Sequence, residues 1–203
     1  MTNPSFFPAP RPLLFLDVDG PLIPFGGTRE QYPDGYPTYA PARRPRVAVS
    51  EANPLLSRID PSLGSRLGAL GCELVWATSW LGEANECVAP WLGLAALPVV
   101  SWPESESESE LDSGSGAPHG MRGVHWKTAP LVEWAAGRDF VWLDDEVTDA
   151  DRDWVAEHHR GRALLHRVDP RHGLGDGDLG VVGAWLSDRL RAGGGWSRSS
   201  PRP

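Results

Sequence analysis

Two pairs of aspartates, a Thr–Ser pair and one lysine carry the chemistry that this sequence offers. Asp17 and Asp19 end the apolar run in "LLFLDVDG", and Gly20 follows at once. Thr78 and Ser79 follow "ELVWA", Lys127 opens "KTAPLVEWAAG", and Asp144 and Asp145 end "FVWLDD". Carboxylates brought together repel, and some stay protonated at neutral pH unless a cation joins them. A hard ion such as Mg²⁺ suits carboxylate, carbonyl and water ligands, and it keeps waters that a phosphate can displace. A phosphate next needs a hydroxyl, as on Thr78, to donate a hydrogen bond, and an ammonium, as on Lys127, to neutralise charge. Gly20 lets the backbone turn tightly, so that amide N–H groups can approach an anion. The set spells phosphate, divalent metal and a carboxylate nucleophile.

These groups need elements that deliver them to one place. Leu13–Asp17 is a short, continuous apolar run, the mark of a buried strand. Further strands are expected at about Glu73 to Ala77, in "LPVVSW", in "DFVWLDDE" and in "RALLHRV". Helices are expected between them. Asp60 and Pro61 start one that carries Leu63, Leu67 and Leu70 on one face and ends at Gly71. Leu81–Ala89 forms another, stopped by Pro90. "KTAPLVEWAAG" gives a third. "TDADRDWVAEHHRG" gives a fourth, with Thr148 as its cap, Asp149 and Asp151 at its positive end and Gly161 as its stop. Asp178–Ala192 closes the series with Leu179, Val182, Leu186 and Leu190 at helical spacing. Alternating strands and helices, with strands apolar throughout, predict an α/β, Rossmann-like three-layer fold with a central, mainly parallel five-stranded sheet. Ligands of such sheets bind beyond the carboxyl ends of the strands, where every group named above falls.

The ordered set "LFLDVDG", "LVWATSW", a lysine and "VWLDDE" resembles the haloacid dehalogenase (HAD) superfamily, as a small-cap member. Its four motifs are a strand ending in DxD, a strand ending in Thr or Ser, a lysine, and a strand ending in two acids. The resemblance implies a Mg²⁺-dependent phosphohydrolase, a phosphomonoesterase. Asp17 would be the nucleophile that forms an aspartyl-phosphate, and a ligand of the metal. Asp19 would be general acid and then base, with its backbone carbonyl on the metal. Thr78 would hold the phosphoryl oxygens, and Lys127 would screen nucleophile and phosphate. Gly20 and Ser79 would border the phosphate. Asp144 would ligate the metal with Asp145 beside it. The sheet order would set the strand of Asp144 next to that of Asp17. Thr78 is preferred to Ser79 as the first hydroxyl after the strand. Asp149 is expected to serve its helix rather than the metal. Pro21 breaks the DxDxT form of the branch that acts on polymerase tails, which sets that substrate aside.

The remaining organisation follows from composition. Residues 1–10 and 193–203 read as flexible ends of a single domain over 11–192. Residues 21–54 hold seven prolines and three tyrosines, and suit a short flap after the first strand, with a short strand possible in "RPRVAVSEANP". They are too irregular for a helical cap, so the site is open or closed by the flap and an oligomer partner. "PESESESELDSGSGAP", over 103–118, has almost nothing to bury and is expected to be a disordered loop. A net charge of -8 disfavours nucleic acid and anionic membrane as partners, leaving a phosphorylated small molecule as the expected substrate. No apolar run is long enough for a transmembrane helix or placed as a signal peptide, and Cys72 and Cys87 lack metal-ligand spacing, so a cytoplasmic protein is expected. The ten tryptophans lie mostly in or beside the strands and helices, where core packing is the default use. Two other classes compete: a catalytically silent protein of this fold that binds a phospho-ligand or a protein, which the intact acid set opposes, and a phospho-receiver domain, whose acidic pair would come first in the chain. No Gly-rich fingerprint follows the first strand, which opposes a nucleotide-cofactor oxidoreductase.

Overall fold

The computed structural model describes residues 10–43, 53–102 and 123–193. The expected loose ends, the acidic loop over 103–118 and the short strand within 44–54 fall wholly or mostly outside the described residues.

Four parallel strands form the sheet: β1 (Leu13–Leu16), β2 (Glu73–Trp76), β3 (Phe140–Asp144) and β4 (Ala163–Arg167). Their order is β2-β1-β3-β4, so β1 is central and pairs with β3 on one side and β2 on the other. All four residues of β1 are fully buried, which is why the run is apolar at every position. Alternate residues feed opposite layers. Leu14, Leu16, Trp76 and Leu143 pack with α1 (Ser62–Gly68), α2 (Ala89–Leu92) and α5 (Asp176–Gly193). Leu13, Phe15, Val75 and Trp142 pack with α3 (Thr128–Ala135) and α4 (Asp149–His158). The three-layer α/β architecture is therefore present.

The sheet has four strands rather than the five expected. "LPVVSW" runs beside β2 but makes one parallel bridge, between Trp76 and Val99. Trp76 N–H donates to the Pro98 carbonyl, and Val100 N–H donates to the Trp76 carbonyl, both at 2.9 Å. Pro98 has no N–H with which to extend a ladder. The Leu97 N–H is already committed to Asn85 Oδ1 at 2.8 Å. An apolar run cut by a proline and tied to a side chain cannot become a strand.

A second correction concerns Pro90. It does not stop the preceding helix; a wide, π-type turn over Ala84–Val88 leads into α2, and Pro90 sits in the first turn of α2. The wide turn accommodates the proline: Ala89 N–H reaches back to the Ala84 carbonyl, and Pro90 has no N–H to place. At α1 the Asp60 carboxylate accepts from the Ser62 N–H at 2.8 Å, and Ser62 is the first helical residue. At α4 the cap is reciprocal: Thr148 Oγ1 accepts from Asp151 N–H, and Asp151 accepts from Thr148 N–H. The described part of the excursion after β1, residues 21–43, has no helix or strand of its own beyond one bridge at Ile23. Among the described residues no helix is long and apolar enough to cross a membrane.

Candidate active site

Register brings Asp17 together with the second acidic pair. Leu16 pairs with Leu143, and Asp17 N–H donates to the Leu143 carbonyl at 3.1 Å, so Asp17 and Asp144 follow in step at the carboxyl ends of adjacent strands. Each stands two residues beyond a side chain of the α3/α4 layer, Phe15 and Trp142, and so faces that layer. Lys127, immediately before α3, meets them there. Its Nζ lies 2.9 Å from Asp17 Oδ2 and 2.8 Å from Asp144 Oδ2. All three side chains are almost wholly buried. Asp144 is held further by Trp142 Nε1 at 3.2 Å and by Glu146 N–H at 2.9 Å. Asp17 Oδ1 accepts from Val18 N–H at 2.8 Å.

Asp145, half-buried, completes a carboxylate trio: oxygens of Asp17, Asp144 and Asp145 all lie within 4.8 Å of one another. One ammonium faces three acids. Burial pushes the Asp17 carboxyl up to about 7, with Lys127 pulling it down and Asp144 pushing it up. Burial and the Asp144 charge raise Asp145 to about 6. Burial works against the charge of Lys127, but Asp17 and Asp144 outweigh it and raise its pKa. A trio of oxygen donors with surplus negative charge has the composition that a hard divalent cation requires, so the residues fit such an ion.

Gly20 is needed at its position for two reasons. Its φ is +81°, in the left-handed region. A Cβ there would also lie 2.6 Å from Cγ and Oδ1 of Asp145. Asp19 stands apart from the trio. Its backbone bridges to Ile23, and its Oδ2 accepts from Trp80 Nε1 at 2.9 Å.

Ala77 N–H donates to the Leu16 carbonyl at 2.9 Å, which carries Thr78 to the same edge of the sheet. Thr78 is fully buried and Ser79 is exposed. Thr78 Oγ1 accepts from Trp80 N–H at 3.3 Å, and the Thr78 carbonyl accepts from Trp102 Nε1 at 3.0 Å. Asp149 is exposed and pairs with Arg152 at 2.7 Å. Neither cysteine competes as a nucleophile. Cys72 is buried and Cys87 half-buried, and burial pushes the Cys72 thiol up to about 11.

Asp151 has a part that its helix position alone does not suggest. It is fully buried and accepts from His125 N–H at 2.7 Å and Thr128 Oγ1 at 2.6 Å, and from Thr148 N–H at 2.8 Å and Thr148 Oγ1 at 2.7 Å. One carboxylate thus fastens both flanks of Lys127 to the start of α4. Burial opposes its charge, but these hydrogen bonds outweigh burial and hold its pKa below the usual carboxylate value. The sequence signal was the Thr148–Asp151 spacing, which announces the cap and not the partners across the fold.

A family model described as the HAD domain in Swiss Army Knife RNA repair proteins matches residues 13–179, from the first residue of β1 into α5. No curated protein and no solved structure matches the chain. The matched span contains every group of the site. The chain belongs to this family of HAD domains.

Proposed function

We propose that this HAD-domain protein is a Mg²⁺-dependent phosphohydrolase that works through an aspartyl-phosphate on Asp17. The observation that carries the reading is the Asp17–Lys127–Asp144 contact at the carboxyl edge of the sheet, with Asp145 close enough to share an ion. Asp17, Asp144 and Asp145 would hold the metal, which when bound neutralises charge on the phosphoryl group. An Asp17 oxygen attacks phosphorus while the P–O bond to the leaving group breaks. The leaving oxygen takes a proton from Asp19, which Trp80 Nε1 keeps oriented. A water then attacks the aspartyl-phosphate, gives its proton to Asp19, and the bond to Asp17 breaks to release phosphate. Lys127 neutralises charge beside the reacting carboxylate throughout, and the Thr78 hydroxyl donates to a phosphoryl oxygen.

The test is phosphate release from a generic aryl phosphate with and without Mg²⁺, run beside Asp17→Asn. Metal-dependent release that vanishes in the variant supports the reading. Undiminished release by a folded Asp17→Asn protein removes the covalent mechanism.

The family description favours a second reading of the substrate: a phosphate at the end of an RNA strand, in place of the phosphorylated small molecule. A net charge of -8 opposes extended contact with a polyanion, so this reading is confined to the strand end. Competition between a terminally phosphorylated oligoribonucleotide and a sugar phosphate decides between the two.

A further inference from the structure

Three tryptophans rim the site, each tied to it by a different contact. Trp80 donates to Asp19, and Trp102 donates to the Thr78 carbonyl. Trp126 directly precedes Lys127, whose Nζ lies over its ring, 5.6 Å from the centroid. Trp102 abuts Trp126 nearly edge-on, with centroids 4.8 Å apart and planes at 76°. The His125 ring, 5.5 Å away and tilted by 34°, supports it from the preceding residue. Trp126 nevertheless remains 51% exposed, whereas Trp76 and Trp142 are fully buried in the core. An indole left this open adds little to the core, yet its neighbours fix its orientation. It is a rigid aromatic surface beside the lysine that faces the nucleophile.

We propose that Trp126 is the stacking surface for a nucleobase carried by the substrate, in a nucleoside monophosphate unit that is free or ends a strand. The proposal rests on the phosphohydrolase reading for the position of the phosphate. A phosphate at Asp17 lies against Lys127 Nζ, which is 2.9 Å from Asp17. The Trp126 ring is set back from that ammonium by 5.6 Å. A ring attached directly to the ester oxygen would lie over the carboxylates, whereas a nucleobase is set back from its phosphate by a sugar. Stacking on an indole accepts every base, because each presents a π-face. It also suits an acidic protein, since it gives affinity without a basic groove.

The experiment compares the full-length protein with Trp126→Ala and Trp126→Phe on adenosine monophosphate and ribose 5-phosphate, in Mg²⁺. The readout is the ratio of the two KM values, which cancels any general disturbance of Lys127. Trp126→Ala should reduce the preference for the nucleotide by about tenfold, as loss of one base–aromatic stack implies, and Trp126→Phe should restore most of it. An unchanged ratio, or no preference in the parent protein, overturns the proposal. If the parent hydrolyses neither compound, calorimetric titration of the same two ligands gives the same ratio from Kd, so failure of catalysis and failure of stacking are read separately. A terminally phosphorylated oligoribonucleotide forms a third arm. Sensitivity to Trp126→Ala in both nucleotide arms supports a base from either source, and sensitivity in the oligonucleotide alone assigns it to a strand end. A phosphotyrosine peptide forms a fourth arm, and sensitivity to Trp126→Ala confined to it overturns the nucleobase in favour of an aryl ester.

Discussion

Replacing Asp17 by asparagine should make the metal-free protein more stable at neutral pH. Asp17 is 6% exposed and its carboxyl is raised from 3.8 to about 7, first by burial and then by Asp144, against the pull of Lys127. A carboxyl whose folded pKa lies above its unfolded value favours the fold while it keeps its proton. That contribution is complete below about 3.8 and is lost as the pH rises to about 7. Across this window each pH unit weakens the fold by about 1.4 kcal/mol, reaching about 4 kcal/mol at neutrality. Asparagine resembles the protonated acid in shape and has no proton to lose. Urea denaturation in chelator at pH 4.5, 6 and 8 should therefore show Asp17→Asn gaining on the parent as the pH rises, by several kcal/mol at pH 8. Titrating groups remote from Asp17 are common to both proteins and drop out of the difference, and Lys127, whose pKa is raised, keeps its proton throughout this range. A difference that stays flat with pH, or a variant that loses ground as the pH rises, would refute the reasoning. Added Mg²⁺ should rescue the parent selectively, because the cation neutralises what burial penalises.

Lys127→Met should destabilise the protein by about 3–5 kcal/mol in denaturant and abolish phosphate release, because it leaves Asp17 and Asp144 buried without their shared ammonium. Asp151→Ala should cost more than the ~1 kcal/mol of an ordinary helix cap, since it strands buried donors on both sides of Lys127. It should also lower kcat more than it raises KM. A stability loss with unchanged kcat would show that Asp151 serves only α4.

What the sequence disclosed depended on how local the cause was. Leu13–Leu16 and Phe140–Leu143 are continuous apolar runs because both faces of their strands are covered, and burial on two faces leaves a mark at every position. The capped helix over Asp149–His158 was equally plain, since its cap lies within four residues. "LPVVSW" misled because its composition is that of a strand, while Pro98, whose carbonyl faces β2, has no N–H to return to it, and Asn85, twelve positions from Leu97, ties down the preceding residue. Pro90 misled because a proline reads as a stop and gives no sign that a new helix begins around it. Asp151 and Trp126 escaped for a third reason. Each has an ordinary local reading, a cap and a core aromatic, and only the folded chain sets Asp151 on His125 and leaves Trp126 open beside Lys127.

The step-for-step pairing of β1 with β3 also bears on how this protein can change over generations. Asp17 and Asp144 face each other only because no residue is gained or lost along either strand. Insertion of a single residue in Leu13–Leu16 would turn Asp17 to the opposite layer, away from Lys127, and expel the apolar side chains of β1 from their layers as well. Length is therefore frozen within the strands and free beyond their ends. Phe25 to Arg43, which carries no helix or strand, can lengthen, shorten or be exchanged without moving any of the acids. Such a scaffold can acquire a new substrate by recombining its loops while it keeps its reaction, and a family built on it should diversify in that way.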